Sequence, residues 1–170
     1  YAIGCLIGHK DAVERIRRIR NKDQKHNFAL ICRDLSDSAT YAKYDTPAYR
    51  LLKAHTPGPF TFILRATKEV PKRLMHPKKR TVGLRVPEHR ILQAILDELG
   101  EPMLTSSLRL PGDEYPLNDA ELIRDRLDHQ VDLVIDGGPC GLDPTTLVRM
   151  VDGEIEVMRV GKGDPTDFGG

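Results

Sequence analysis

The chain has no tryptophan, and aromatic residues make up only 5% of its 170 positions. A platform for single-stranded nucleic acid, which stacks successive bases on exposed rings, is therefore a poor fit. Cysteine is scarce as well. Cys5, Cys32 and Cys140 are too few and too scattered for a disulfide framework, and no Cys-x-x-Cys spacing suits zinc. A reducing, cytoplasmic setting is the default expectation. The longest purely apolar run, Phe28 to Cys32, falls far short of the ~20 residues a membrane helix needs. The phosphate-binding Walker A spacing is missing, as are Gly-x-Gly-x-x-Gly after a strand, His-Glu-x-x-His and Gly-x-Ser-x-Gly. The six histidines are dispersed, whereas a metal site needs clustered ligands, so none is expected. His26 and His55, each beside a strand start, are the better placed of them.

What is present is a globular composition: 39% hydrophobic and 30% charged, with no low-complexity tract. The length suits one domain with a real core. Net charge is only +1, but its distribution is uneven. Residues 1–90 carry 20 Lys/Arg against 8 Asp/Glu, and residues 91–170 carry 6 against 17. That polarity suits a basic surface or cleft for phosphate or nucleic acid, or two halves that pair with each other.

Asp11-x-x-Glu14 reads as a helix start, with Ala12, Val13, Ile16 and Ile19 at helical spacing. Asn27 to Cys32 has strand length, and Ser36 to Tyr44 reads as a helix. Thr46-Pro47 caps and opens another helix, which His55-Thr56-Pro57-Gly58-Pro59 must break. Phe60 to Leu64 and Thr81 to Val86 read as strands, with a short or irregular helix over 70–77 between them. Pro87 is expected to open a helix with Ile91, Leu92, Ile95, Leu96 and Leu99 on one side, ended by Gly100. Met103 to Ser107 reads as a strand, Asp119 as the cap of a helix, and Val131 to Ile135 as a strand. Two late strands, 145–148 and 155–158, meet at the turn dipeptide Asp152-Gly153. The expectation is an α/β (α+β) domain over 1–163, a twisted mixed sheet with flanking helices, and a loose Gly- and Asp-rich tail over 164–170. Tyr1 to Cys5 reads as the end of a strand with no initiator Met, so an N-terminal part is expected to be missing.

One set of segments is more specific. In order and spacing, Tyr1-Ala2-Ile3-Gly4-Cys5, Arg20-Asn21-Lys22, Thr56-Pro57-Gly58-Pro59-Phe60-Thr61-Phe62-Ile63-Leu64, Gly83-Leu84-Arg85-Val86-Pro87, Thr105-Ser106-Ser107, Gly137-Gly138, Pro144-Thr145-Thr146 and Arg159-Val160-Gly161 resemble the YrdC/YciO family. That family includes the threonylcarbamoyl-adenylate synthases. The segments Arg33 to Ser36, Thr56 to Gly58 and Glu101 to Leu104 look most like its YciO branch. The resemblance implies a twisted α/β sheet with a concave basic face. It implies an activity that joins ATP, L-threonine and bicarbonate into threonylcarbamoyl-AMP for tRNA modification, with Mg²⁺ arriving on ATP and no tightly bound cofactor.

The resemblance also implies site residues. The family's Lys-x-Arg pair falls on Arg20 and Lys22 with its order reversed. Its Ser-x-Asn pair falls on Ser107 and Arg109, where arginine replaces asparagine. His26, Thr81 and Arg159 fall on nucleotide-side positions. Tyr1, Arg85, Thr105 and Thr145 fall on the threonine side, where a guanidinium at Arg85 would clamp the carboxylate. Arg and Lys both neutralise phosphate but only Arg offers a planar fork, and Asn both donates and accepts where Arg only donates. The nucleotide motifs are thus degenerate in geometry while keeping positive charge. No catalytic base stands out. The competing expectation is a paralogue that binds structured RNA or tRNA on its basic face through Arg15, Arg18, Lys25, Lys78, Lys79 and Arg80, without making the adenylate.

Overall fold

The computed structural model describes residues 1–21 and 28–169. Lys22, Lys25 and His26 lie outside the described residues. In chain order come β1 (Ala2–Leu6), α1 (Lys10–Arg20), β2 (Ala29–Ile31), α2 (Leu35–Ser38), β3 (Ala42–Lys43), α3 (Thr46–His55), β4 (Phe60–Ala66) and β5 (Thr81–Arg85). They are followed by α4 (Arg90–Leu99), β6 (Met103–Ser107), α5 (Ala120–Arg126), β7 (Thr146–Val151) and β8 (Glu154–Arg159). The strands form one mixed sheet in the order β1-β6-β2-β5-β4-β7-β8, with β3 paired to β4. β2 runs parallel to β5 and β4 parallel to β7; the other pairs are antiparallel. No helix of the described residues is long and apolar enough to cross a membrane.

Strand side chains alternate between two faces, so the register sorts them. One face carries Ile3, Leu30, Phe60, Phe62, Leu64, Val82, Leu84, Leu104 and Val148, all buried in a single core cluster. Val13 and Ile16 of α1, Ala48 and Leu52 of α3, and Ile123 of α5 join that cluster, which places these three helices on that face. Leu96, the one fully buried residue of α4, lies outside it. The other face carries Thr81, Gly83 and Arg85 of β5, Thr61 of β4, Thr105 and Ser107 of β6 and, by the β7–β8 register, Arg159.

Several expected elements differ. The helix over 36–44 stops at Ser38, because Ala42 and Lys43 turn into a strand against Ala66 and Arg65. Asp45, not Thr46, caps α3, its carboxylate accepting from Ala48 N at 2.9 Å. The α4 helix begins at Arg90 rather than Pro87, with His89 as its cap; Val86 O and Pro87 O are instead taken by Gly58 N and the Gln93 side chain. Leu99, expected on its buried side, is exposed. Val131 to Ile135 forms no strand, since no neighbouring strand among the described residues offers it a ladder, and Leu133 is 74% exposed. The tail expected to be loose instead carries a 3₁₀ turn at Thr166–Phe168. Phe168 is buried there, its ring 5.5 Å from that of Phe60 and 4.6 Å from that of His55. His55, the other better-placed histidine, is used here: Nδ1 meets Leu51 O at 2.7 Å and Nε2 meets Asp167 at 3.1 Å.

Candidate functional site

Arg85 closes β5, with its backbone tied to the residue that follows β2 by Cys32 N donating to Arg85 O at 2.8 Å. Its Nε is buried without a hydrogen-bond partner among the described residues. Burial holds its guanidinium below the usual arginine range, and the positive charge of Arg159 adds to the effect. Arg159 ends β8 and donates from Nε and Nη2 to the Thr145 carbonyl at 3.1 and 2.9 Å. The Thr145 hydroxyl lies 2.6 Å from that of Thr61. Arg85, Thr145 and Arg159, far apart in sequence, thus meet at one end of the sheet. No acidic side chain is hydrogen-bonded to Arg85 or Arg159 among the described residues. Two cations close enough to repel, with no acidic side chain hydrogen-bonded to either among the described residues, favour an anion.

The remaining candidates lie toward the opposite end of the same strands. The register aligns Gly4, Thr105, Ala29 and Gly83 in one row across β1, β6, β2 and β5. A Cβ on Gly4 would come within 3.0 Å of Leu104 O, and one on Gly83 within 3.3 Å of Phe28 O. Both glycines therefore sit where the neighbouring strand backbone approaches closely. Thr105 is buried in that row and its hydroxyl donates to Ala29 O at 3.2 Å, which commits it to the sheet. Thr81 is also buried, two residues toward the far end from Gly83, while Ser107 is exposed at the end of β6.

Arg20, at the end of α1, donates to the Ser106 hydroxyl and, from Nε, to Arg109 O at 3.3 Å. Burial and then the Arg109 charge push its guanidinium down. With Asn21, Leu110, Pro111, Gly112 and Asp113, Arg20 and Arg109 line a cavity of about 320 Å³. Tyr1 is fastened to the 137–138 turn, its hydroxyl donating to Gly138 O at 2.8 Å and accepting from Gly137 N at 3.1 Å. A larger cavity of about 550 Å³ at the start of α4 contains none of the expected residues, and its Arg33 is already paired with Asp37 and Asp97.

The residues expected to hold RNA do not converge on the Arg85–Arg159 end. Arg15 pairs with Asp132 at 2.8 Å, Arg18 is exposed on α1, and Lys78, Lys79 and Arg80 precede β5 at the end opposite Arg85. A residue at the Arg85–Arg159 end that the sequence did not single out is Thr61. The alternation of Phe60, Phe62 and Leu64 was the available signal, because it turns Thr61 to the other face of β4. Among the described residues no group of three or more His, Cys, Asp or Glu is placed to hold a metal.

Known proteins are similar to this chain in sequence and fold. The chain is 53% identical over 168 residues to the uncharacterized protein YciO of Escherichia coli K12, covering 99% of this chain and 82% of that one. It is 28% identical to the threonylcarbamoyl-AMP synthase of Bos taurus, covering 95% of this chain and 60% of that enzyme. The crystal structure of E. coli YciO superposes with a TM-score of 0.93 over 99% of this chain and 82% of that one. Sua5 of P. abyssi, solved in complex with L-threonine, shares the fold with a TM-score of 0.85 at 21% identity, over 95% of this chain and 47% of that one. The family model Sua5/YciO/YrdC, described as telomere recombination, matches residues 1–161. With that match spanning nearly the whole sheet, the chain belongs to the Sua5/YciO/YrdC family.

Proposed function

We propose that the chain joins ATP, L-threonine and bicarbonate into threonylcarbamoyl-AMP, releasing pyrophosphate. The single observation that carries this is Arg85, a half-buried side chain whose buried Nε has no hydrogen-bond partner among the described residues and whose charge is opposed by that of Arg159. It supports a bound carboxylate or phosphate at that end of the sheet. The synthases among the relatives and the Sua5 structure with L-threonine support the choice of amino acid.

In this reading Arg85 takes the threonine carboxylate, with the Thr145 hydroxyl beside it. Arg159 faces the phosphates, and Ser107, Arg109 and Arg20 take the nucleotide at the other end. The threonine amine and bicarbonate condense to a carbamate with loss of water. A carbamate oxygen then attacks the α-phosphorus, and pyrophosphate leaves with the electron pair of the broken P–O bond. The nucleophile belongs to the substrate, so the protein contributes alignment and fixed positive charge. Mg²⁺ would enter with ATP as part of the substrate.

Pyrophosphate release from ATP should require both threonine and bicarbonate. Arg85→Ala should weaken threonine binding, read by calorimetry, by about 10- to 100-fold, the usual worth of a hydrogen bond to a charged group. Release that ignores threonine, or unchanged affinity in the variant, contradicts the assignment.

A further inference from the structure

Thr61 occupies a position in the site that no part of the reaction above uses. Phe62 faces Leu84 in the β4–β5 ladder, so Thr61 comes level with Arg85. Thr61 also faces Leu147 of β7, and Leu147 faces Arg159 of β8. The row across the sheet therefore reads Arg85, Thr61, Leu147, Arg159. Three strand spacings separate the two arginines, about 14 Å between their backbones. Thr61 is the polar side chain between them in that row, and its hydroxyl lies 2.6 Å from Thr145 Oγ1.

The direction of that hydrogen bond matters. A threonine hydroxyl has one proton and two lone pairs. Arg159 Nη2, which can only donate, points at Thr145 Oγ1 at 3.4 Å. If Thr61 also donates, both lone pairs of Thr145 are used and its own proton is free to point into the site. If Thr145 donated to Thr61 instead, its only proton would be spent inside the protein. An anion beside two guanidiniums favours the first arrangement, because every group facing it is then a donor.

We propose that Thr61 is a positioning residue, donating to Thr145 Oγ1 so that the Thr145 hydroxyl proton is presented to the carboxylate held by Arg85. This rests on the threonine-binding reading above. Thr61 touches the ligand through Thr145, and its effect disappears when Thr145 cannot respond.

The test is calorimetry with L-threonine on the wild-type chain and on Thr61→Val, Thr61→Ser, Thr145→Val and the double Thr61→Val/Thr145→Val variant, with Arg85→Ala alongside. Valine keeps the β-branched shape that suits a strand. Thr61→Val should weaken binding by about tenfold, the scale of one hydrogen bond to a charged group. Thr61→Ser should recover most of that loss, and Thr61→Val should add nothing in the Thr145→Val background. Normal affinity in Thr61→Val while Arg85→Ala loses it overturns the positioning role and leaves the threonine site standing. An undiminished tenfold loss in the Thr145→Val background also overturns it, because Thr61 would then act without Thr145. A wild-type chain that binds no threonine, or an Arg85→Ala variant that binds it normally, overturns both proposals.

Discussion

Arg109 stands where the resemblance places asparagine, and its surroundings show what the exchange does. Its carbonyl accepts from the Arg20 guanidinium, while its own charge helps to push that guanidinium down. A neutral amide would remove the repulsion, leave the carbonyl in place and restore a group that can also accept. Arg109→Asn should therefore raise threonine-dependent pyrophosphate release by roughly fivefold, equivalent to about 1 kcal/mol of barrier. An unchanged rate in a steady-state assay would show that this arginine does not limit the reaction. The cysteines were easier to read. Cys32 sits in an apolar run, and burial, followed by the charges of Asp37 and Asp34, pushes its thiol up to about 12. At physiological pH it is a small apolar filler. Residue chemistry of this kind follows from near neighbours in sequence. The Thr61–Thr145 contact does not, because 84 positions separate its partners.

The β7–β8 hairpin shows an element whose stability can be followed by pH. Asp152 and Gly153 adopt φ of 56° and 81°, the left-handed pair that a tight two-residue turn requires. The Asp152 carboxylate is gripped by Arg65 of β4, with Nε donating at 3.1 Å and Nη2 donating to the second oxygen. That grip holds the carboxyl below its ordinary value. Its contribution to folding is complete above the unfolded carboxyl's pKa of about 3.9. It is lost as pH falls through the lower folded value. Urea unfolding should show Asp152→Asn less stable than wild type at pH 7, with the gap closing under acid; a constant gap would exclude the ion pair as its cause. Asp-Gly was legible as a turn because its geometry is local. Val131 to Ile135 was misread for the opposite reason: a strand is a relation between two segments, and β-branched composition alone supplies only one.

For the whole molecule, the decisive feature is that early and late parts of the chain are woven together. β6 lies between β1 and β2, and β7 with β8 extends the sheet beyond β4. The basic first half and acidic second half therefore share one sheet and do not form two charged lobes, which charge counting could not reveal. The alternation of strands and helices, the caps at Asp119 and Gly100 and the late hairpin were all visible in sequence. Strand order was not, because parallel β2–β5 and β4–β7 pairs are set by tertiary packing. The tail shows the same weaving. Gly163 O accepts from the Thr146 hydroxyl, and Phe168 closes over Phe60 and Phe62. Phe168→Ala should lower unfolding free energy by about 3–5 kcal/mol, the usual cost of emptying a buried aromatic site. A change under about 1 kcal/mol in a urea titration would mean that the tail is not anchored there. The position of β6 also bears on how the chain comes off the ribosome. Among the described residues β1 pairs with β6 alone, so that edge must wait while about a hundred further residues are translated, on the order of 5–20 seconds at ordinary elongation rates. A nascent chain halted before Met103 carries that edge unsatisfied, which leaves it open to pairing with another chain.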